Sequence, residues 1–227
     1  MYKTYKILAF FLLINFPFQV SAHVQHYENL NVIEFDIYRN SQNIGKHIFK
    51  FKKLDDQLEV ESEINFQIKK FGVILYKYHV KGTEYFKDGN LVKFESKTNQ
   101  NGKEKYVYIK LDGNELVIDG SSFKGKVPTD YLLGTWWNHS IVKADAQISA
   151  VSGRIIKQKV SFLGKETLNI NGKVHKTLHF NFSSTDKKLD KDKKLNTDVW
   201  YDEETLHWVK ASFKKKGNWE YKLVYMD

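Results

Sequence analysis

An all-β fold is predicted: a large antiparallel meander forming a barrel-like or strongly curved sheet, with one short helix or crossover near residues 129–138. Three observations carry this expectation. From Leu58 to Lys69 the chain alternates without a break, with Leu58, Val60, Ser62, Ile64, Phe66 and Ile68 on one face and Glu59, Glu61, Glu63, Asn65, Gln67 and Lys69 on the other. That is the period-two signature of a long strand with one side on a core. Turn pairs recur at short intervals, among them Asp55-Asp56, Phe71-Gly72, Asp88-Gly89, Asn101-Gly102, Asp112-Gly113, Ser152-Gly153, Leu163-Gly164, Asn171-Gly172 and Lys216-Gly217. Asp-Gly and Asn-Gly are strong hairpin signals because a type I′ turn needs positive φ at both central residues. Proline occurs only at Pro17 and Pro128 and interrupts no strand candidate.

Taken in order, the chain opens with Lys3 and Lys6, an apolar run from Ile7 to Ile14, and a small-residue exit at Val20-Ser21-Ala22. This reads as a signal peptide over residues 1–22, cleaved near Ala22. The run is too short for a spanning helix, which needs about 17 to 25 residues. Residues 23–227 are expected to form a single, soluble, monomeric all-β domain, periplasmic or secreted. Ile33, Phe35 and Ile37 alternate against Glu34 and Asp36 in the first strand, and strands continue to about residue 119. Pro128-Thr129-Asp130 then carries a helix-start signal, with Asp130 or Thr129 as N-cap, ahead of Tyr131, Leu132, Leu133, Trp136 and Trp137. This is the expected crossover between two β halves. Strands resume from about residue 153 to 226, bringing the total to about a dozen. They are interrupted by a charged loop over Asp186 to Lys194, between strands ending near Ser184 and starting near Thr197.

Composition narrows the chemistry. Cysteine is absent, so there is no disulfide, no thiol chemistry and no lipobox anchor. The formal net charge is +9, but the lysines are scattered, which favours a solvated surface over a patch and makes nucleic acid a poor partner. Gly120 to Lys126 comes close to a phosphate-binding loop, yet Val127 stands where that loop needs Ser or Thr. His175 and His179 lie on one face of an expected strand about 13 Å apart, too far to share a metal. No metal and no cofactor are expected.

The landmarks also follow a recognisable order. An Ile44-Gly45 hairpin after the first strand, Tyr85-Phe86-Lys87-Asp88-Gly89-Asn90-Leu91, Asn101-Gly102, Trp136-Trp137-Asn138, Gly164-Lys165-Glu166, Asn171-Gly172, Trp200-Tyr201-Asp202 and a last strand around Trp219 to Tyr225 together resemble the bacterial exported family called domain of unknown function 6134, itself similar to the DUF3108-like group. The resemblance covers nearly all of the chain after its leader. It implies an all-β periplasmic domain and supplies no site residues.

Candidate site residues come from the residue pattern. Trp136 and Trp137 sit where the strand rhythm breaks, with His139 beside them and Asp145 nearby. The tryptophans either fill the core or line a ligand mouth, and His139 with a carboxylate is the only arrangement resembling a general base. Tyr76, Tyr78, Tyr106 and Tyr108 would form an amphipathic wall if they point inward. The leading expectation is non-catalytic binding of a hydrophobic or amphipathic, lipid-like ligand. The alternatives are an envelope protein that docks a protein partner and has a packed interior, and, behind that, a hydrolase-type enzyme centred on His139.

Overall fold

The computed structural model describes residue 27, residues 29–190 and residues 193–227; the expected signal peptide lies outside the described residues. Fifteen strands form one sheet: β1 (Val32–Arg39), β2 (Gln42–Leu54), β3 (Gln57–Lys70), β4 (Val73–Lys87), β5 (Asn90–Gln100), β6 (Lys103–Asp112), β7 (Glu115–Gly120), β8 (Lys124–Pro128), β9 (Leu132–Leu133), β10 (Ala146–Ile148), β11 (Ile155–Ile170), β12 (Lys173–Ser184), β13 (Asn196–Asp202), β14 (Trp208–Lys214) and β15 (Asn218–Met226). Their spatial order runs from β8 down to β1, then from β15 down to β9. Two meanders therefore join along β1 and β15, which pair antiparallel from Ile33 opposite Met226 to Arg39 opposite Trp219. Among the described residues no helix is long and apolar enough to cross a membrane.

The two edge strands, β8 and β9, are separated by only Thr129, Asp130 and Tyr131. Since these residues bridge opposite margins of a fifteen-stranded sheet, the sheet has to curl until its margins lie close together. Among the described residues no ladder joins the margins. The seam is closed instead by the loop after β10: the Ser122 amide donates to the Ser152 carbonyl at 2.8 Å and the Ser96 hydroxyl donates to the Ala150 carbonyl at 2.6 Å. Gly120 lies so close to this loop that a Cβ there would stand 2.7 Å from the Ser152 oxygen. Pro128 ends an edge strand, where its missing N–H costs the ladder nothing.

Alternation sets the inside. On β3, Leu58, Val60, Ser62 and Phe66 are buried as their spacing predicts, and they join Ile33, Phe35, Ile37, Phe49, Phe94, Val107 and Ile109 in one core. Three local readings are corrected. The first hairpin turns at Asn40-Ser41, both at positive φ, and not at Ile44-Gly45. Gly45 lies inside β2 next to a bulge, where the β3 backbone passes so close that a Cβ would meet the Asn65 oxygen at 2.1 Å. Leu163-Gly164 is a bulge within β11 and not a turn. The crossover falls where expected, but its helical turn, a 3-10 helix over His139–Lys143, starts later and is capped by the Asn138 side chain accepting from the Ser140 amide. Leu132-Leu133 are instead drawn into parallel pairing with Gln147-Ile148, which takes the hydrophobic residues of the expected helix.

Candidate functional site

Turns fall alternately at the two ends of the barrel, and the ends are built differently. At the end carrying the turns at 55–56 and 88–89, the crossover inserts Trp137, fully buried, against Tyr27 (ring centroids 4.9 Å apart), Phe51 (5.4 Å) and Phe86 (5.5 Å). The Trp137 Nε1–H donates to Glu84 Oε1 at 2.9 Å. Glu84 lies on the inner face of β4, and burial pushes its carboxyl up to about 7 against the opposing hydrogen bonds from Trp137 and Thr135. This end is a filled plug.

The other end, carrying the turns at 40–41, 71–72, 101–102 and 216–217, is open. Trp136 holds φ +61°, a left-handed backbone that is uncommon for a bulky residue. This turn sends its side chain the opposite way from its neighbour's, edge-on to Trp208 (5.7 Å) and Tyr221 (6.2 Å). The aromatic surface continues from Tyr221 to Phe213 (6.3 Å), from Phe213 to Trp219 (5.7 Å), from Trp219 to Phe66 (5.3 Å) and from Phe66 to Tyr78 (4.8 Å) and Tyr76 (6.2 Å). Beneath it His47 is enclosed by Phe35, Phe49, Trp208 and Tyr221, and burial lowers its imidazole to about 3. Among the described residues, the Trp136 and Trp208 indole nitrogens and His47 Nδ1 are buried without a hydrogen-bond partner. Orphan polar atoms are rare in folded interiors, and here three cluster around one tryptophan.

A groove of about 870 Å³ opens over this surface, floored by Trp136, Ile156, Leu195 and Phe213. Its rim carries Arg154, Lys193, Lys194, Lys214, Lys215 and Lys216, and no Asp or Glu is among its described lining residues. Lys105, on the inner face of β6, is held below the usual lysine range by burial, then by Lys103, Lys215 and Arg154. The scattered lysines of the sequence are thus gathered by the fold, from three segments far apart in the chain.

A family model matches residues 35–224, which spans β2 to β14 entire and every groove and plug residue above except Tyr27. The chain belongs to DUF6134, a domain of unknown function. Among solved structures, this DUF6134 chain is similar to a beta-barrel-like protein of domain of unknown function DUF1849 from Brucella abortus, with a TM-score of 0.61 and 10% identity over 87% of this chain and 97% of that one. At that identity the likeness shows the fold alone, a barrel-like sheet. A protein from Bacteroides fragilis with a YmcC-like fold overlaps more loosely, with a TM-score of 0.36 and 9% identity over 86% of this chain and 94% of that one. No curated protein matches the sequence.

The DUF6134 barrel divides the residues singled out from sequence. Trp136, Tyr76 and Tyr78 come together on the inner face of the open end. Trp137 goes to the plug. Tyr106 and Tyr108 lie tilted against each other, ring centroids 5.6 Å apart, but on the outer face of β6, since Val107 and Ile109 take the inside; they line a separate groove of about 480 Å³ with Lys97 and Asp119. The four tyrosines therefore do not form one wall. His139 is buried edge-on to Tyr201 (4.7 Å) and near Phe180 (5.9 Å), while Asp145 faces solvent, so the imidazole is enclosed by rings rather than displayed at a surface. Among the described residues no group of three or more His, Cys, Asp or Glu is placed to hold a metal ion.

Sequence reasoning missed Glu84, His47 and the cation rim. It also missed an outer-face network in which Glu166 accepts from His179 Nδ1 (2.7 Å) and Trp200 Nε1 (2.9 Å), with the His179 ring stacked on Trp200 at 4.1 Å and Lys210 over the indole at 4.7 Å. It ties β11, β12, β13 and β14 together. The alternation of β12 already placed His179 on that face; its partners come from other strands and carry no local signal.

Proposed function

We propose that this is an exported, non-catalytic binding protein, released as a single domain after cleavage near Ala22, whose open end takes an amphiphile with an acidic head and an apolar body. The observation that carries the reading is the pairing of an aromatic floor with six basic side chains around one groove, with no acid among its described lining residues and with Asp190, paired to Lys193 at 2.8 Å, just outside it. Aromatic bodies with polar tips suit an apolar tail, clustered arginine and lysine suit a phosphate or carboxylate, and the orphan indole N–H of Trp136, which lines the groove, supplies an unused donor. The test is titration with dodecyl phosphate and, separately, dodecyltrimethylammonium, followed by tryptophan fluorescence. Dodecyl phosphate is expected to bind, and Lys214→Glu with Lys215→Glu to weaken it about tenfold, as expected for the loss of a contact set worth about 1.4 kcal/mol. Equal response to the cationic amphiphile, or none to either, overturns the reading. The plug supports a second reading, a scaffold for an envelope partner, because Tyr27, Trp137, Tyr201 and Trp208 leave the barrel centre filled; a clean apo mass in native mass spectrometry of protein from its own periplasm favours that one.

A further inference from the structure

The β3–β4 hairpin stands above the rim of the open end. Strand β2 pairs with β3 only as far as Phe66, and β5 pairs with β4 only from Tyr78, while β3 and β4 continue together to Lys70 opposite Val73. Residues 67–76 therefore project beyond both neighbouring strands, with Lys77 still tied to the β5–β6 turn by the Asn101 amide at 2.8 Å, by about four residues on β3 or some 13 Å at the usual rise per residue. The tip is apolar and bare: Phe71 is 95% exposed, Val73 61%, Leu75 55% and Ile74 41%. Beyond Ile68 and Tyr76, which still pack against the core, these side chains lie on both faces of the tip, and the core covers neither face there.

The turn itself shows that the fold does not ask for this residue. Five other hairpins of the sheet place a residue near φ +50° at the first turn position and use Asn40, Asp55, Asp88, Asn101 and Asn171, the types that tolerate a left-handed backbone, while the longer β14–β15 turn has Lys216 at φ +49°. At the same position and the same φ the β3–β4 turn has Phe71. A bulky aromatic is the costly choice there, and its ring touches only solvent and the Lys70 ammonium, 5.5 Å from the ring centroid. Charge completes the picture: between Glu63 and Glu84 there is no acid, whereas Lys69, Lys70, Lys77 and Lys81 are present.

We propose that this hairpin docks the protein on the surface of an anionic lipid bilayer, with Phe71, Val73, Ile74 and Leu75 inserted at the acyl boundary and Lys69, Lys70 and Lys77 against the headgroup phosphates. A convex apolar tip ringed by cations matches the depth of about 5 to 10 Å reached by interfacial elements and the attraction of basic groups to anionic lipid. A flat protein partner would leave the projecting sides uncovered. The docked orientation points the cation-rimmed groove at the membrane, but docking does not depend on what the groove holds.

The experiment is flotation of the leader-free protein with vesicles of phosphatidylethanolamine and phosphatidylglycerol, and with phosphatidylcholine alone. Binding is expected on the anionic vesicles, salt-sensitive, and reduced at least tenfold in a Phe71→Ser, Leu75→Ser double variant. Those side chains are exposed, so near-ultraviolet circular dichroism of the variant should match the parent. A Phe71→Trp variant is expected to show blue-shifted emission on the anionic vesicles and quenching by brominated acyl chains. Equal flotation of parent and double variant overturns the proposal, as does self-association in sedimentation equilibrium that the double variant abolishes while neither protein floats. Dodecyl phosphate titration is unaffected by the hairpin change if the groove reading is also right, which keeps the two tests separate.

Discussion

Trp136 and Trp137 are neighbours in the chain and belong to opposite ends of the barrel. Trp137 is sealed among Tyr27, Phe51 and Phe86, and its N–H is spent on Glu84; Trp136 floors an open groove, and its N–H has no acceptor among the described residues. Each end also buries one titratable group of opposite habit, Glu84 at the plug and His47 on the side of the mouth. The difference shows one segment serving both ends: the left-handed turn at Trp136 leaves one indole lining the groove and sends the next into the plug.

The contrast is most easily broken at the plug. Trp137→Ala is expected to cost about 3 to 5 kcal/mol, because it empties a fully buried site and strips Glu84 of its donor; urea denaturation measures it, and a loss below about 1 kcal/mol would mean that the plug is not what holds the barrel.

The buried pair gives the next largest effect. The Glu84 carboxyl titrates near 7 when folded against 4.5 when free, so its protonated form adds stability that is complete below about pH 4.5 and lost as pH rises through 7, about 3 kcal/mol in all. His47 titrates near 3 when folded against 6.5 when free, so its contribution is complete above pH 6.5 and lost as pH falls towards 3. Between pH 4.5 and 6.5 the two slopes oppose each other. Relative to the parent, Glu84→Gln is expected to make stability climb more steeply with pH across that window, and His47→Phe to make it fall. Parallel pH profiles for parent and variants would show that neither group is buried as described.

The smallest effect on folding is expected at the mouth. Trp136→Gly gives up half-buried ring contacts but relieves the left-handed backbone, so its stability should stay within about 1 kcal/mol of the parent while dodecyl phosphate binding falls. A large loss of stability would make Trp136 a second plug residue and erase the contrast between the two ends.

What was legible in the sequence was what one strand reports about itself. The alternation from Leu58 to Lys69 gave β3 almost to the residue, and Asp88-Gly89, Asn101-Gly102 and Asn171-Gly172 sit at their turns with positive φ. What was illegible needed two strands at once. Gly45 reads as a turn until the β3 backbone is laid against it, and Leu132-Leu133 read as helix until β10 offers them pairing. Glu84 looks like any acid on an outer face of a strand, because nothing local announces that Gly82, Glu84 and Phe86 share the inside. Arg154, Lys193 and Lys214 to Lys216 are background charge until curling of the sheet places them around one opening.

The join between the two meanders constrains how such a protein is made. Strand β1 is the first of the described strands and β15 the fifteenth, so a nascent chain carries β1 with one margin bare until β15 has been made. That margin is a row of unmet amide and carbonyl groups, and the contact that covers it spans nearly the whole polypeptide, which makes it slow to form. The chain is therefore most vulnerable to proteases and to aberrant pairing before the nine residues of β15 arrive, and a truncation that removes them should be cleared rather than accumulate.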